Sequence, residues 1–299
     1  MELWIPITIT AAFLQNIRST IQRQLKGRLG AAGATIVRFL YGIPIATAIV
    51  CVLHFGFGHA LPELNTRFAF WVIIGGLAQV AAQVFLILAF GYRNFTVATA
   101  YSRTEPMHAA LIGFIVLSEV PAANDFIAII LAVAGVCLIS IARETLKWGS
   151  LGRAIFTLGA LYGLASGAIF GLAAVSYRSA SLAISGPGFL MQASTTLFWA
   201  VLFQTAILLA FMGLKQRGEL KAVFVNWRLG LLVGCVGASA SFLWFAAMTL
   251  QQAAIVKALA QVEMIFTYAA TVFIFRENVN GREIIGCLLI IAGIMALLY

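Results

Sequence analysis

Charge is scarce in this sequence. Only 10% of its 299 residues are Asp, Glu, Lys or Arg, and the acidic ones number ten. That is too little polar surface to coat a folded chain in water, so a water-soluble globule is excluded. Histidine is rarer still, with His54, His59 and His108 scattered along the chain. Cys51, Cys137, Cys235 and Cys287 show no CxxC spacing, so neither a disulfide framework nor a metal site is expected. No HExxH, GxSxG, P-loop or paired-aspartate motif occurs, which speaks against a membrane enzyme and against an ATP-driven pump. No cofactor is expected.

Apolar residues take the place of charge. They make up 62% of the chain, and the mean hydropathy is +1.01. About 20 apolar residues cross a hydrocarbon core roughly 30 Å thick. Ten such stretches lie near residues 3–25, 33–55, 69–91, 95–117, 124–142, 153–177, 186–212, 229–249, 254–275 and 281–298. Lipid cannot satisfy backbone polar groups, so these spans are expected to be helices, and they are far longer than the alternating strands of a barrel. The first stretch has no basic n-region and carries Gln15, Asn16 and Arg18 where a signal peptide would be cleaved, so it reads as a retained helix.

Lys and Arg exceed Asp and Glu by nine. In a soluble chain that excess would suggest nucleic acid; here its placement points to a bilayer instead. Basic residues gather in alternate connections: Arg23, Lys26 and Arg28; Arg93; Arg143, Lys147 and Arg153; Lys215, Arg217, Lys221 and Arg228; and Arg276 and Arg282. The other set holds little beyond Arg67 and Arg178. The positive-inside rule then places the basic loops in the cytoplasm and both termini outside. A multi-pass protein of the bacterial inner membrane is expected, with no nucleic-acid partner.

The chain is also a duplication. An ungapped shift of 158 residues carries Glu105 and Glu119 onto Glu263 and Glu277, Gly76 onto Gly234, and Ala134-Gly135 onto Ala292-Gly293. Ala82 and Ala240, Ala100 and Ala258, and Leu131 and Leu289 obey the same shift. Five spans per half is an odd number, so the second copy is expected upside down relative to the first. The expected repeats are residues 1–145 and 150–299, joined by a short charged connection and forming one membrane transport domain. Two inverted halves have two near-equivalent packings, one open to each side, which is the geometry of alternating access.

Further features carry a family resemblance. Arg38-Phe39 stands in the second helix, Pro106 early in the fourth, Glu119 and Glu277 close the fourth and ninth, and Ala134-Gly135-Val136 and Ala292-Gly293-Ile294 centre the fifth and tenth. In this order and doubled spacing the chain resembles the drug/metabolite transporter superfamily, in its EamA-type branch. Met264 departs from the pattern at the position of Pro106 and leaves a kink of the ninth helix open. The resemblance implies an all-α fold of ten transmembrane helices in two inverted five-helix repeats. It also implies transport of small metabolites: export of amino acids, aromatic ones included, or exchange of sugar phosphates and other organic anions.

Polar residues inside apolar spans are the candidate site, because a charge at a helix centre costs about 2.5–3.5 kcal/mol on insertion scales. Gln15, Arg18, Ser19 and Gln22 fall on one stripe of the first helix, and Gln79 and Gln83 are one turn apart in the third. Both sets suit either a substrate cavity or hydrogen bonding between helices. Arg38 requires a carboxylate, a carbonyl or a substrate anion as partner. Glu105 and Glu263 open the fourth and ninth helices, where the helix dipole favours an acid without any function; gating or coupling is the alternative. Lys257 and Gln261 suit an anion, since the sugar-phosphate branch holds phosphate with basic residues in this region, or else an ion pair with Glu105 or Glu263. Tyr101, Trp244 and Tyr268 suit stacking against a ring. The expected partners are a small-molecule substrate and the lipid bilayer, with the monomer as the functional unit.

Overall fold

A computed structural model describes residues 2–26, 29–89, 100–142, 158–186, 188–266 and 281–298. The described segments are mainly helical, joined by turns and, over residues 57–65, by an irregular loop. Helix α1 covers Trp4–Lys26, α2 Ala31–Leu40, α3 Ile43–Cys51, α4 Thr66–Ala89, α5 Glu105–Leu117 and α6 Ala123–Ala142. Then come α7 over Leu158–Ala183, α8 Phe189–Lys215, α9 Arg217–Val225, α10 Trp227–Leu250, α11 Ala253–Leu259 and α12 Gly281–Leu298. Among the described residues, five helical stretches are long and apolar enough to cross a bilayer: Ala32–Gly56, Thr66–Ala89, Leu158–Ala183, Phe189–Lys215 and Trp227–Leu250. α1, with 23 residues, is nearly as long as these, but Gln15, Asn16, Arg18 and Gln22 make it more polar.

Contacts group the chain into two units, and neither is a sequence half. The first unit holds Met1–Gly76 and Ser176–Leu250, and the second holds Leu77–Val175 and Gln251–Tyr299. Each therefore draws on both repeats, because helices pack on their repeat counterparts or on helices near them.

In the second unit, α6 packs on α12, its counterpart by the 158-residue shift. A Cβ on Gly135 would stand 2.5 Å from the Gly286 carbonyl oxygen, and one on Gly293 would stand 2.9 Å from that of Ala128. The shift exchanges these two contacts: 135 maps to 293, and 128 to 286. The residue numbers run in opposite senses along the seam, so the two helices are antiparallel. Small residues let the backbones approach this closely. Val136, Ile139, Cys287 and Ile290 close the core around them.

In the first unit, the span expected at 33–55 is interrupted. α2 stops at Leu40, with Tyr41 N–H donating to the Val37 carbonyl at 3.2 Å and Gly42 N–H to that of Phe39 at 3.0 Å. Pro44 has no N–H to continue the ladder and sits in the first turn of α3, where none is needed. The span then ends in a π-helical turn over Val52–Gly56, closed by Gly58 at φ +71°. α10 accommodates the break with glycine. A side chain on Gly230 would meet the Tyr41 ring, and one on Gly234 would meet the Tyr41 backbone.

Helix ends are satisfied by named side chains. Asn65 Oδ1 accepts from Phe68 N–H at 2.8 Å at the start of α4, while its Nδ2 donates to the Ala183 carbonyl at the end of α7 at 2.6 Å. Asp125 accepts from Ala122 N–H at 2.9 Å ahead of α6. Arg178 donates to the Met248 and Thr249 carbonyls at the end of α10, where the helix dipole favours a cation.

Candidate functional site

The first polar cluster lies in the first unit, where α1, α2 and α10 meet. Trp244 Nε1 of α10 donates to Gln15 Oε1 of α1 at 3.1 Å. One turn further along α1, Arg18 is only 9% exposed. One turn earlier on α10, Ser241 Oγ accepts from Arg38 Nη2 at 3.4 Å. The two arginines share the space that Gly237 leaves empty: a Cβ there would lie 3.1 Å from Arg18 Cδ and 3.4 Å from Arg38 Cγ. Arg38 also stands over the Phe39 ring, 5.0 Å from its centroid, and its Nε is buried without a hydrogen bond among the described residues. Nearby in the same unit, Gln204 Nε2 donates to the Tyr177 hydroxyl at 3.1 Å, and the Tyr177 ring packs on Phe245 at 4.4 Å.

The expected stripe on α1 divides in three. Gln15 and Arg18 turn to α10. Gln22 Nε2 bonds the Ala34 carbonyl of α2 at 2.6 Å, and Ser19 is exposed with its hydroxyl returned to the Gln15 carbonyl at 2.8 Å. At about 100° per residue, Arg18 and Ser19 flank Gln15 on opposite sides. α10 covers only the Arg18 side. In α4, Gln79 and Gln83 are both partly buried. Tyr268 lies outside the described residues.

The second cluster lies in the second unit, at the start of α5 and the end of α11, which are the fourth and ninth spans of the sequence. Lys257 Nζ stands 2.9 Å from Glu105 Oε1, and Arg103 Nη1 stands 3.8 Å from Glu263 Oε2. The four side chains keep 32% or less of their surface exposed. Each pair joins a residue of one repeat to a residue of the other. Gln261, 4% exposed, lies among them with Nε2 on the Lys257 carbonyl at 3.3 Å.

A tightened turn in each helix presents these charges. Arg103 N–H donates to the Ala100 carbonyl, and Gln261 N–H to the Ala258 carbonyl, both at 3.1 Å. The 158-residue shift turns one bond into the other, and both span three residues rather than the four of an α-helix. Pro106 accompanies the turn in the fourth helix. The ninth makes it without proline, with Met264 N–H on the Gln261 carbonyl at 2.9 Å. Tyr101 sits on the first of these turns, partly buried, and α7 packs there through glycine: a Cβ on Gly167 would stand 3.0 Å from the Tyr101 carbonyl oxygen.

Sequence reasoning passed over Arg103, Ser241 and Gly237. The repeat shift marks Arg103 as the counterpart of Gln261. Ser241 precedes Trp244 by one turn. For Gly237 the signal is the run Gly230, Gly234 and Gly237 on α10, which reads as packing until the arginines are placed against it.

The chain matches the EamA-like transporter family over residues 2–141 and again over 157–299, so both halves carry the domain. A protein of known crystal structure, 17% identical, aligns with a TM-score of 0.71 over 98% of this chain and 94% of its own. Identity at that level carries the fold alone. No curated protein matches the chain. A doubled match along nearly the whole length, on an all-helical chain with bilayer-spanning helices, places this protein in the EamA-like transporter family.

Proposed function

We propose that this transporter moves small amphipathic metabolites, amino acids foremost and aromatic ones among them, out of a bacterial cell. The mechanism is alternating access of two inverted five-helix repeats. Binding and release are its only chemistry. The observation that carries the reading is the α1–α10 seam. There Arg18, largely buried, lies one turn along α1 from Gln15, whose amide accepts from the Trp244 indole, which supports a site that offers a carboxylate donor and an aromatic neighbour. Antiparallel packing of α6 on α12, with contacts that the repeat shift exchanges, supports the inverted relation of the halves. The basic loops support a cytoplasmic location for the connection around Lys215, with both termini outside, and the monomer is taken as the functional unit.

Uptake of a labelled amino-acid panel into proteoliposomes, with and without a pH gradient, tests the reading. Saturable flux with counterflow is expected. A second reading, exchange of sugar phosphates or other organic anions, is favoured by the nearness of Arg18 to Arg38. It replaces the first if sugar phosphates move and no amino acid does.

A further inference from the structure

We infer that Arg18 and Arg38 together form one oxyanion-binding site, which takes the carboxylate or phosphate headgroup of the transported molecule. This rests on the transport reading and adds the group by which the substrate is recognised.

Two guanidiniums on different helices repel each other, and a bundle that only needed packing would have no reason to bring them together. The structure brings their stems together at Gly237, where Arg18 Cδ and Arg38 Cγ are no more than about 6.5 Å apart. Arg38 keeps a buried Nε that makes no hydrogen bond among the described residues, and its Nη2 contact with Ser241 is long at 3.4 Å. An oxyanion between the two forks would supply acceptors for these donors and offset the repulsion.

The duplication sharpens the point. The repeat counterparts of Arg18 and Arg38 are Ser176 and Thr196, buried hydroxyls with no charge. The positive pair is therefore peculiar to one half, and the duplicated scaffold does not require it. Gly237 likewise has Gln79 as its counterpart, so the clearance that admits both stems is also particular to this place.

The test is ligand-induced thermal stabilisation of the purified full chain, which needs no transport. The probes are phenylalanine against phenethylamine, glucose 6-phosphate against glucose, and inorganic phosphate, all at matched ionic strength. Stabilisation by an oxyanion member, with its partner lacking the oxyanion inert, is the expected result. The stronger of the carboxylate and phosphate arms identifies the headgroup. Arg18→Gln and Arg38→Gln should each weaken that binding by about 10- to 100-fold, the size of a lost charge-assisted hydrogen bond. Arg18→Lys and Arg38→Lys keep the charge and guard against a folding defect. They should retain the melting temperature without ligand while losing most of the affinity, because a point charge lacks the planar fork. Arg67→Gln, on the exposed surface, should bind as the wild type does. Equal stabilisation by phenethylamine and glucose, or wild-type affinity in both Gln variants, overturns the site. Oxyanion binding without flux of any probe in proteoliposomes would leave the site standing and remove the amino-acid and sugar-phosphate substrate readings.

Discussion

Lys257 and Glu105 are 152 positions apart in the chain and form an ion pair of 2.9 Å between α11 and α5, in the ninth and fourth spans. Their neighbours Arg103 and Glu263 repeat the pairing in the opposite sense at 3.8 Å. One contact is closed and the other loose, although the two glutamates are repeat counterparts. The difference follows from the cations. Lys257 has Thr99 as its counterpart, so Glu263 has no matching lysine and turns to Arg103.

The two pairs should therefore differ in energy. Double-mutant cycles with Lys257→Gln and Glu105→Gln are expected to give a coupling of about 1–3 kcal/mol, and Arg103→Gln with Glu263→Gln clearly less. Melting of the purified variants in one detergent is the measurement. Equal couplings would mean that the distances do not report strength.

The turn in the ninth helix forms without proline, so proline should fit there. Met264→Pro loses one hydrogen bond of the tightened turn and is expected to cost about 1 kcal/mol. Met248→Pro, inside α10, should cost about 3 kcal/mol or more. Comparable losses of melting temperature in the two would show that the ninth helix has no relaxed position at Met264.

The α6–α12 seam leaves no room at Gly135. Its added Cβ would meet the Gly286 carbonyl, a backbone atom that cannot rotate away. Gly135→Ala should destabilise by about 1–3 kcal/mol, whereas Gly213→Ala, in open space, should stay within about 0.5 kcal/mol of the parent. Thermal melts decide this, and equal stability of the two would argue against close packing at Gly135.

Trp244 offers an indole N–H to Gln15 and a ring to its surroundings. Trp244→Phe keeps most of the ring and removes the indole donor to Gln15, so a loss of about 1–2 kcal/mol in stability is expected, with aromatic substrates still moved. Trp244→Ala should abolish preference for them in a flux competition assay. An unchanged preference in Trp244→Ala would remove this residue from the site.

Orientation can be read chemically. Once the native cysteines are replaced, Lys147→Cys and Lys215→Cys should be shielded from an impermeant thiol reagent in intact cells and react after permeabilisation. Reaction at both positions from outside would reverse the assigned topology.

Composition and spacing alone determined that the chain is helical, lies in a membrane and is duplicated. These depend on short-range rules: apolar length sets the solvent, and a constant shift of 158 residues between like residues records the repeat. The polar residues were legible as a set for the same reason, since charge inside an apolar run stands out. Their partners were not. Gln22 binds α2 while Gln15 binds α10, although both lie on the expected stripe, because a helix surface has neighbours only where another helix packs. Arg38 meets Ser241 across 203 residues, and Lys257 meets a glutamate of the other repeat. The turn at Gln261 has no proline to announce it. Which helices pack together, and at what closeness, was decided by the tertiary fold, because contacts between residues so far apart in sequence leave no period or spacing in the chain that makes them.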